Sequence, residues 1–172
     1  MYPRFEKVSY EQFYDAMSEI IDTEYKDEFI KSAYESLSIP QRATKGSAGY
    51  DFKAPFTFTL EPGKEIKIPT GIRCYMPENI VLFIVPRSGL GTKNRLQLNN
   101  TIGIVDSDYY YSSNEGHIMA TLINDSRTNK TLTVESGKGF CQGIFLNYFT
   151  TADDSSNGIR DGGFGSTDGN IV

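Results

Sequence analysis

Histidine is almost missing from this sequence: His117 is the only one in 172 residues. A zinc-type cluster of His and Cys therefore has no spacing to draw on, and no serine, base and acid recur in the arrangement of a Ser-His-Asp triad. His117 opens the apolar stretch "GHIMATLI" and reads as a structural residue. Cysteine is scarce as well. Cys74 and Cys141 both sit inside apolar segments, which reads as two buried free thiols in a reducing compartment rather than a disulfide framework. No basic run exceeds two residues, no stripe of Lys or Arg recurs at helical spacing, and the net charge is -5, so a nucleic-acid polymer is not an expected partner. No apolar run approaches membrane-spanning length, so no membrane partner is expected, and "MYPRFEKVSYEQ" lacks the charged-then-apolar pattern of a secretory signal. The expectation is a cytoplasmic protein.

The composition that is present, 38% hydrophobic and 23% charged, is that of a globular chain with one substantial core. Residues 9–38 read as helical. Ser9 followed by Gln12 fits a capping box, and Tyr10, Phe13, Met17 and Ile20 recur on one face, as do Phe29, Ala33 and Leu37 before Ile39-Pro40. From residue 46 the texture changes to short strands, "FTFTL", "EIKI", "IVLFIV", "TLTV" and "GIFLNYF", separated by turn signals such as "EPGK" and "NDSRTNK". The predicted architecture is all-β, a sandwich, jelly roll or barrel-like core, with a helical N-terminal extension over 1–38. A β domain would then span 39–154 and a glycine-rich C-terminal arm 155–172. The helices suit either a partner-docking element or a cover over a sheet edge.

Four segments depart from the strand-and-turn rhythm. "GSAGYDF" places one acid, Asp51, after small residues, which also suits an ordinary turn. "VPRSGLGTK" runs a buried strand into Arg87, Ser88 and Gly89, offering a guanidinium, a hydroxyl and close-approach N–H groups to an oxyanion such as phosphate; a strand-ending turn is the alternative. In "LNNTIGIVDSDYYY", Asn99-Asn100 can supply the positive-φ positions of a hairpin. The returning strand delivers Asp106, Asp108 and Tyr109 on rigid backbone, as a general base requires. Asx-type capping is the alternative for Asp108. The tail carries Arg160, Phe164, Ser166 and Thr167 among glycines, parts able to close over an aromatic, phosphorylated ligand and equally those of a disordered terminus.

Together these segments resemble the trimeric dUTP diphosphatases, or dUTPases, whose five motifs appear in order as "SAGYDF", "PRSGLG", "GIVDSDY", "GKGFCQGIF" and "RDGGFGST". The resemblance implies the dUTPase-like jelly-roll or β-clip fold, a homotrimer with active sites shared between subunits, and hydrolysis of dUTP to dUMP and pyrophosphate with Mg2+. Asp106 resembles the acid that activates the water attacking the α-phosphorus; an ordinary carboxylate is ionised at neutral pH and can accept that proton. Arg87, Ser88, Gly89 and Gln142 match phosphate-chain contacts, and Asn100 with Thr101 matches the uracil-reading turn, which would reject cytosine. Tyr109 matches the ring against the deoxyribose that excludes UTP. Phe164 would stack on uracil while Arg160, Gly165, Ser166 and Thr167 close on the γ-phosphate. The family offers magnesium no direct protein ligand, which leaves Asp51 to reach the ion through water or to act structurally.

The chain departs from that pattern in several places. Gly139 stands where the fourth motif commonly carries an arginine that pairs with the first-motif acid, leaving Lys138 as a candidate partner for Asp51, and "DYYYSSNEG" lengthens the loop after the third motif. Two other readings follow. A dCTP deaminase of the same superfamily would carry a glutamate where Ala120 stands. A regulator could use the fold to sense nucleotide without catalysis, or alongside it.

Overall fold

The structure, a computed structural model, describes residues 2–158. The tail positions Arg160, Phe164, Gly165, Ser166 and Thr167 lie outside them. β1 (Arg4–Lys7) leads into α1 (Tyr10–Ser18) and α2 (Lys26–Ser36). There follow β2 (Gln41–Arg42), β3 (Tyr50–Lys53), β4 (Phe58–Leu60), β5 (Glu65–Pro69), β6 (Ile72–Tyr75) and β7 (Ile80–Pro86). After the short α3 (Ser88–Asn94) come β8 (Leu96–Leu98), β9 (Gly103–Val105), a 3-10 turn at Ser107–Tyr111, β10 (Met119–Asn124), β11 (Leu132–Val134) and β12 (Gly139–Asn147). Antiparallel pairing builds a five-stranded sheet ordered β2-β3-β12-β7-β9, a three-stranded sheet ordered β5-β10-β8, and the pairs β1-β6 and β4-β11. The all-β architecture expected from the strand pattern is present.

Side-chain alternation explains why these strands enclose one core. β4, β10 and β11 each bury every second residue, as a sheet with one covered face must. Phe52, Ile68, Leu82, Leu122 and Phe140 meet in a cluster that also takes Phe13 and Met17 from α1 and Ile30 and Ala33 from α2. The helical stretch is two elements with a break between them, and the second buries Ile30 with Ala33 and Leu37. Phe29, expected on that face, is turned to the rim and lies edge-on to Phe56.

Two elements depart from the sequence pattern. β1 is short and charged, yet pairs with β6 in the register Phe5↔Cys74 because the Phe5 ring docks on Phe52, Tyr50 and Phe145. α3 forms despite Gly89 and Gly91, residues that disfavour a helix interior. In the β8–β9 turn the positive φ belongs to Thr101, at 67°, not to Asn99 or Asn100. The turn closes with Thr101 N donating to Leu98 O at 2.9 Å, and its last residue, a β-branched one, lies in the left-handed region.

Candidate active site

β12 lies between β3 and β7, and this order brings three of the sequence-predicted segments together. Gln142 faces Asp51 across one strand boundary and Val85 across the other. Its side-chain amide donates to Pro86 O at 3.4 Å, and Gly49 leaves the room it needs, since a Cβ there would collide with the Gln142 carboxamide. Arg87, extended at the end of β7, caps α3 and sends Nε to Asp51 Oδ1 at 3.0 Å. Its side chain is 43% exposed and that of Asp51 only 23%, so the carboxylate is half-sheltered while the guanidinium keeps an open side. Ser88 and Gly89 are exposed in the first turn of α3. A Cβ on Gly89 would have nothing within 4 Å, so ligand atoms can approach its backbone.

Gly139 is the residue that lets Arg87 lie where it does. A Cβ at 139 would stand 2.8 Å from Arg87 Nη1 and 2.9 Å from its Cδ. The guanidinium thus fills the space over position 139 and pairs with Asp51 itself. Arg87, not Lys138, is the partner of Asp51.

A cleft of about 520 Å³ opens on the other flank of β7, lined by Ile84, Leu98, Asn100, Gly103, Tyr109 and Thr121 among others. Gly103 approaches Ile84 closely, its Cβ position lying 3.1 Å from Ile84 Cβ, which narrows the floor. Tyr109 is 2% exposed; its hydroxyl donates to His117 O and accepts from Asn114 Nδ2, both at 2.8 Å. Two polar ends fix one aromatic wall. Asn100 and Tyr109 therefore share one cleft, while Asp51, Arg87 and Gln142 form a separate group and Thr101 lies outside the cleft lining.

Asp106 is half-buried in extended backbone at the head of the 3-10 turn, so it and Asp108 do not lie on one strand face. The β7–β9 register, Leu82↔Val105 and Ile84↔Gly103, sends Asp106 toward the Ile80 end of β7, whereas Arg87 follows its Pro86 end. At about 3.3 Å per residue the two are separated by roughly 16–20 Å within one chain.

Sequence similarity bears on the same residues. The family model described as dUTPase matches residues 35–168. The chain belongs to the dUTPase family. The deoxyuridine 5'-triphosphate nucleotidohydrolase of Lactococcus lactis subsp. lactis is 39% identical over 135 residues, 76% of this chain and 88% of that one. The enzyme of that name from Actinobacillus pleuropneumoniae serotype 5b is 40% identical over 135 residues, 74% of this chain and 85% of its own. Among solved structures, the dUTPase from Streptococcus mutans aligns with a TM-score of 0.64 at 30% identity, covering 86% of this chain and 98% of that one. A mutant dUTPase from phage phi11 of S. aureus, described with a structural Mg(II) ion, shares the fold at a TM-score of 0.59 and 21% identity, covering 72% and 92%.

Set in this dUTPase fold, several cleft residues carried no sequence signal. Lys67, Met119 and Thr121 come from β5 and β10, whose alternation marks them only as outward-facing positions. Asn114 had a partial signal, as a turn-forming residue in "SSNEGH". His117 is buried, accepts a hydrogen bond from Gly71 N at 2.8 Å on Nε2, and is pushed down to about 4 by burial, so at neutral pH it is an uncharged structural residue. Cys74 and Cys141 are buried free thiols, raised by desolvation, Cys74 to about 12.

Proposed function

We propose that this dUTPase-family enzyme hydrolyses dUTP to dUMP and pyrophosphate in a site assembled from the two residue groups described above, contributed by different protomers. The observation that carries this reading is the β7 register. Asp106 and Arg87 leave opposite ends of one strand, yet an acid-activated water and a phosphate clamp must meet at one triphosphate. An association that brought the Asp106 end of one chain to the Arg87 end of a neighbour would meet that requirement, in keeping with the homotrimer that the family resemblance implies.

In that site Asp106 accepts a proton from the water as it attacks the α-phosphorus, and pyrophosphate leaves. Arg87, steadied by Asp51, holds phosphate oxygens with its remaining N–H groups, and Ser88, the Gly89 backbone and Gln142 complete the cradle. Asn100 and the turn around Thr101 read the uracil edge at the cleft. The Tyr109 ring packs against the deoxyribose and leaves no room for a 2'-hydroxyl. Arg160, Phe164, Gly165, Ser166 and Thr167 would close the site from the tail.

Among the described residues no group of three or more His, Cys, Asp or Glu side chains gathers to hold a metal ion. Asp51 and Asp106 are hard oxygen donors of the kind magnesium accepts through its waters, so the donor set fits an ion carried in on the triphosphate. Bound there, Mg2+ supplies positive charge that this acidic chain lacks.

The test is pyrophosphate release with Mg2+ from dUTP beside dCTP, UTP and dTTP, for the intact protein, Asp106→Asn, and a chain truncated before Arg160. Turnover confined to dUTP, falling about 100- to 10,000-fold in Asp106→Asn, supports the reading. Binding of dUTP without release by the intact protein replaces it with a nucleotide-sensing regulator, and ammonia from dCTP replaces it with a deaminase.

A further inference from the structure

The hydroxyl of Tyr109 is held by the loop that follows it: His117 O and Asn114 Nδ2 belong to that loop. Gly116, at φ 69°, packs so closely that a Cβ would stand 2.7 Å from Tyr109 O and from Tyr110 Cα. A shift of the loop therefore shifts the ring.

The loop in turn is fastened from the N-terminal segment directly at two points and, through Gly71, at a third. Ser9, the N-cap of α1, donates its backbone N–H to Glu115 Oε2 at 2.8 Å and its hydroxyl to Glu115 Oε1 at 2.5 Å. In a self-contained capping box the side chain of the third helical residue takes that N–H. Here it goes to a carboxylate from across the fold. Tyr110 donates its hydroxyl to Glu6 Oε2 in β1 at 2.7 Å, and the Arg73 guanidinium lies 3.7 Å over the Tyr110 ring. His117 Nε2 accepts from Gly71 N, while Gly71 is pressed by Leu37 after α2 and by Phe13 of α1 and accepts from Val8 N at 3.1 Å.

We infer that β1, α1 and α2 form a positioning device for Tyr109, with Ser9 and Glu115 as its main coupling, and that this device sets the discrimination between dUTP and UTP. The inference rests on the reading that the Tyr109 ring packs against the deoxyribose. Glu115 and Ser9 touch no reacting atom in that reading; they act through the loop. Glu115, Tyr110 and Glu6 lie on one path from the helices to the cleft wall, which gives the N-terminal segment a catalytic consequence beyond covering the core.

The experiment measures kcat and KM for dUTP and UTP with the full chain carrying Ser9→Ala, Glu115→Gln, the two together, Ser9→Thr, and Tyr109→Leu. Expected is a fall on the order of tenfold in the dUTP-to-UTP ratio of kcat/KM for each single variant, through improved use of UTP. The double variant should fall by less than the product of the two single effects, because both changes weaken the same Ser9–Glu115 contact. Ser9→Thr should keep the native ratio, since it retains the hydroxyl. An unchanged ratio in Ser9→Ala and Glu115→Gln, while Tyr109→Leu loses discrimination, overturns the inference and leaves the site reading standing. A native ratio in Tyr109→Leu overturns both. Should Ser9→Ala not fold, Glu115→Gln decides alone, because it leaves the Ser9–Gln12 cap intact.

Discussion

Arg87 has two anions to satisfy: the Asp51 carboxylate at 3.0 Å and, in the proposed reaction, the phosphate chain of the substrate. Its planar fork can do both, Nε turned to the carboxylate and the outer N–H groups to phosphate, a division that a lysine cannot reproduce. The arrangement depends on the missing side chain at 139. Replacing Gly139 by alanine puts a methyl carbon within 3 Å of Arg87 Cδ and Nη1, and the arginine must leave Asp51 to relieve it. Because the displaced group is a half-exposed surface side chain, the fold should tolerate the change. The expected result for Gly139→Ala is a drop of about tenfold in kcat/KM for dUTP, carried mainly by KM, with the urea midpoint nearly native. A lower midpoint with native kinetics would show that Gly139 serves the register shift of β12 against β3 between Gly139 and Cys141 rather than Arg87. At this scale the sequence was partly legible. "PRSGLG" and "SAGYDF" marked Arg87 and Asp51, but their pairing was not, because it depends on the β3–β12–β7 order and on a volume left empty by a residue that carries no chemistry of its own.

The loop from Ser107 to His117 brings acid-sensitive groups onto one element. His117 is neutral and buried, pushed down to about 4 by desolvation, with Glu115 opposing that shift and Lys67 adding to it. The unfolded chain takes up a proton near pH 6.5 and the folded one does not, so stability is lost as pH falls from 6.5 toward 4, on the order of 3 kcal/mol over the full window. Burial would raise the Glu115 carboxyl, but the hydrogen bonds from Ser9 and the nearby Arg73 outweigh it and hold it below its ordinary value. Tyr110, then Arg4 and Arg73, hold Glu6 low against burial. Those two contributions are present above the ordinary carboxylate value and are lost as pH falls through the lowered ones. Urea unfolding at pH 7.5, 5.5 and 4.5 should therefore show falling stability, and His117→Gln should flatten the upper part of that fall. An equal slope in both proteins would remove His117 as its cause. The sequence marked His117 as structural from its apolar context. It gave no sign of the Ser9–Glu115 contact, since a capping box looks complete when Ser9 and Gln12 stand three apart, and β1 was hidden because four residues with three charges among them carry no strand periodicity.

At the scale of the whole molecule, the all-β class was readable because period-two alternation and turn residues are local signals. Where the halves of the site lie relative to one another is a property of register, which no local pattern records. That register generates the most demanding prediction. Asp106→Asn removes the proposed base and Arg87→Ala the proposed phosphate clamp, and each variant should be nearly inactive alone. If one chain built a complete site, no mixture of the two could recover, because every chain would still lack one half. With Asp106 from one protomer and Arg87 from its neighbour, a trimer assembled at random from equal amounts of both chains joins two intact halves in about a quarter of its sites. Unfolding the two variants together and refolding the mixture should therefore restore about a quarter of wild-type pyrophosphate release, while the separately refolded proteins, combined afterwards, should recover only as fast as subunits exchange. Persistent inactivity of the co-refolded mixture would place both residues in one chain's site and would require the strand ends to be brought together by some route other than a neighbouring copy.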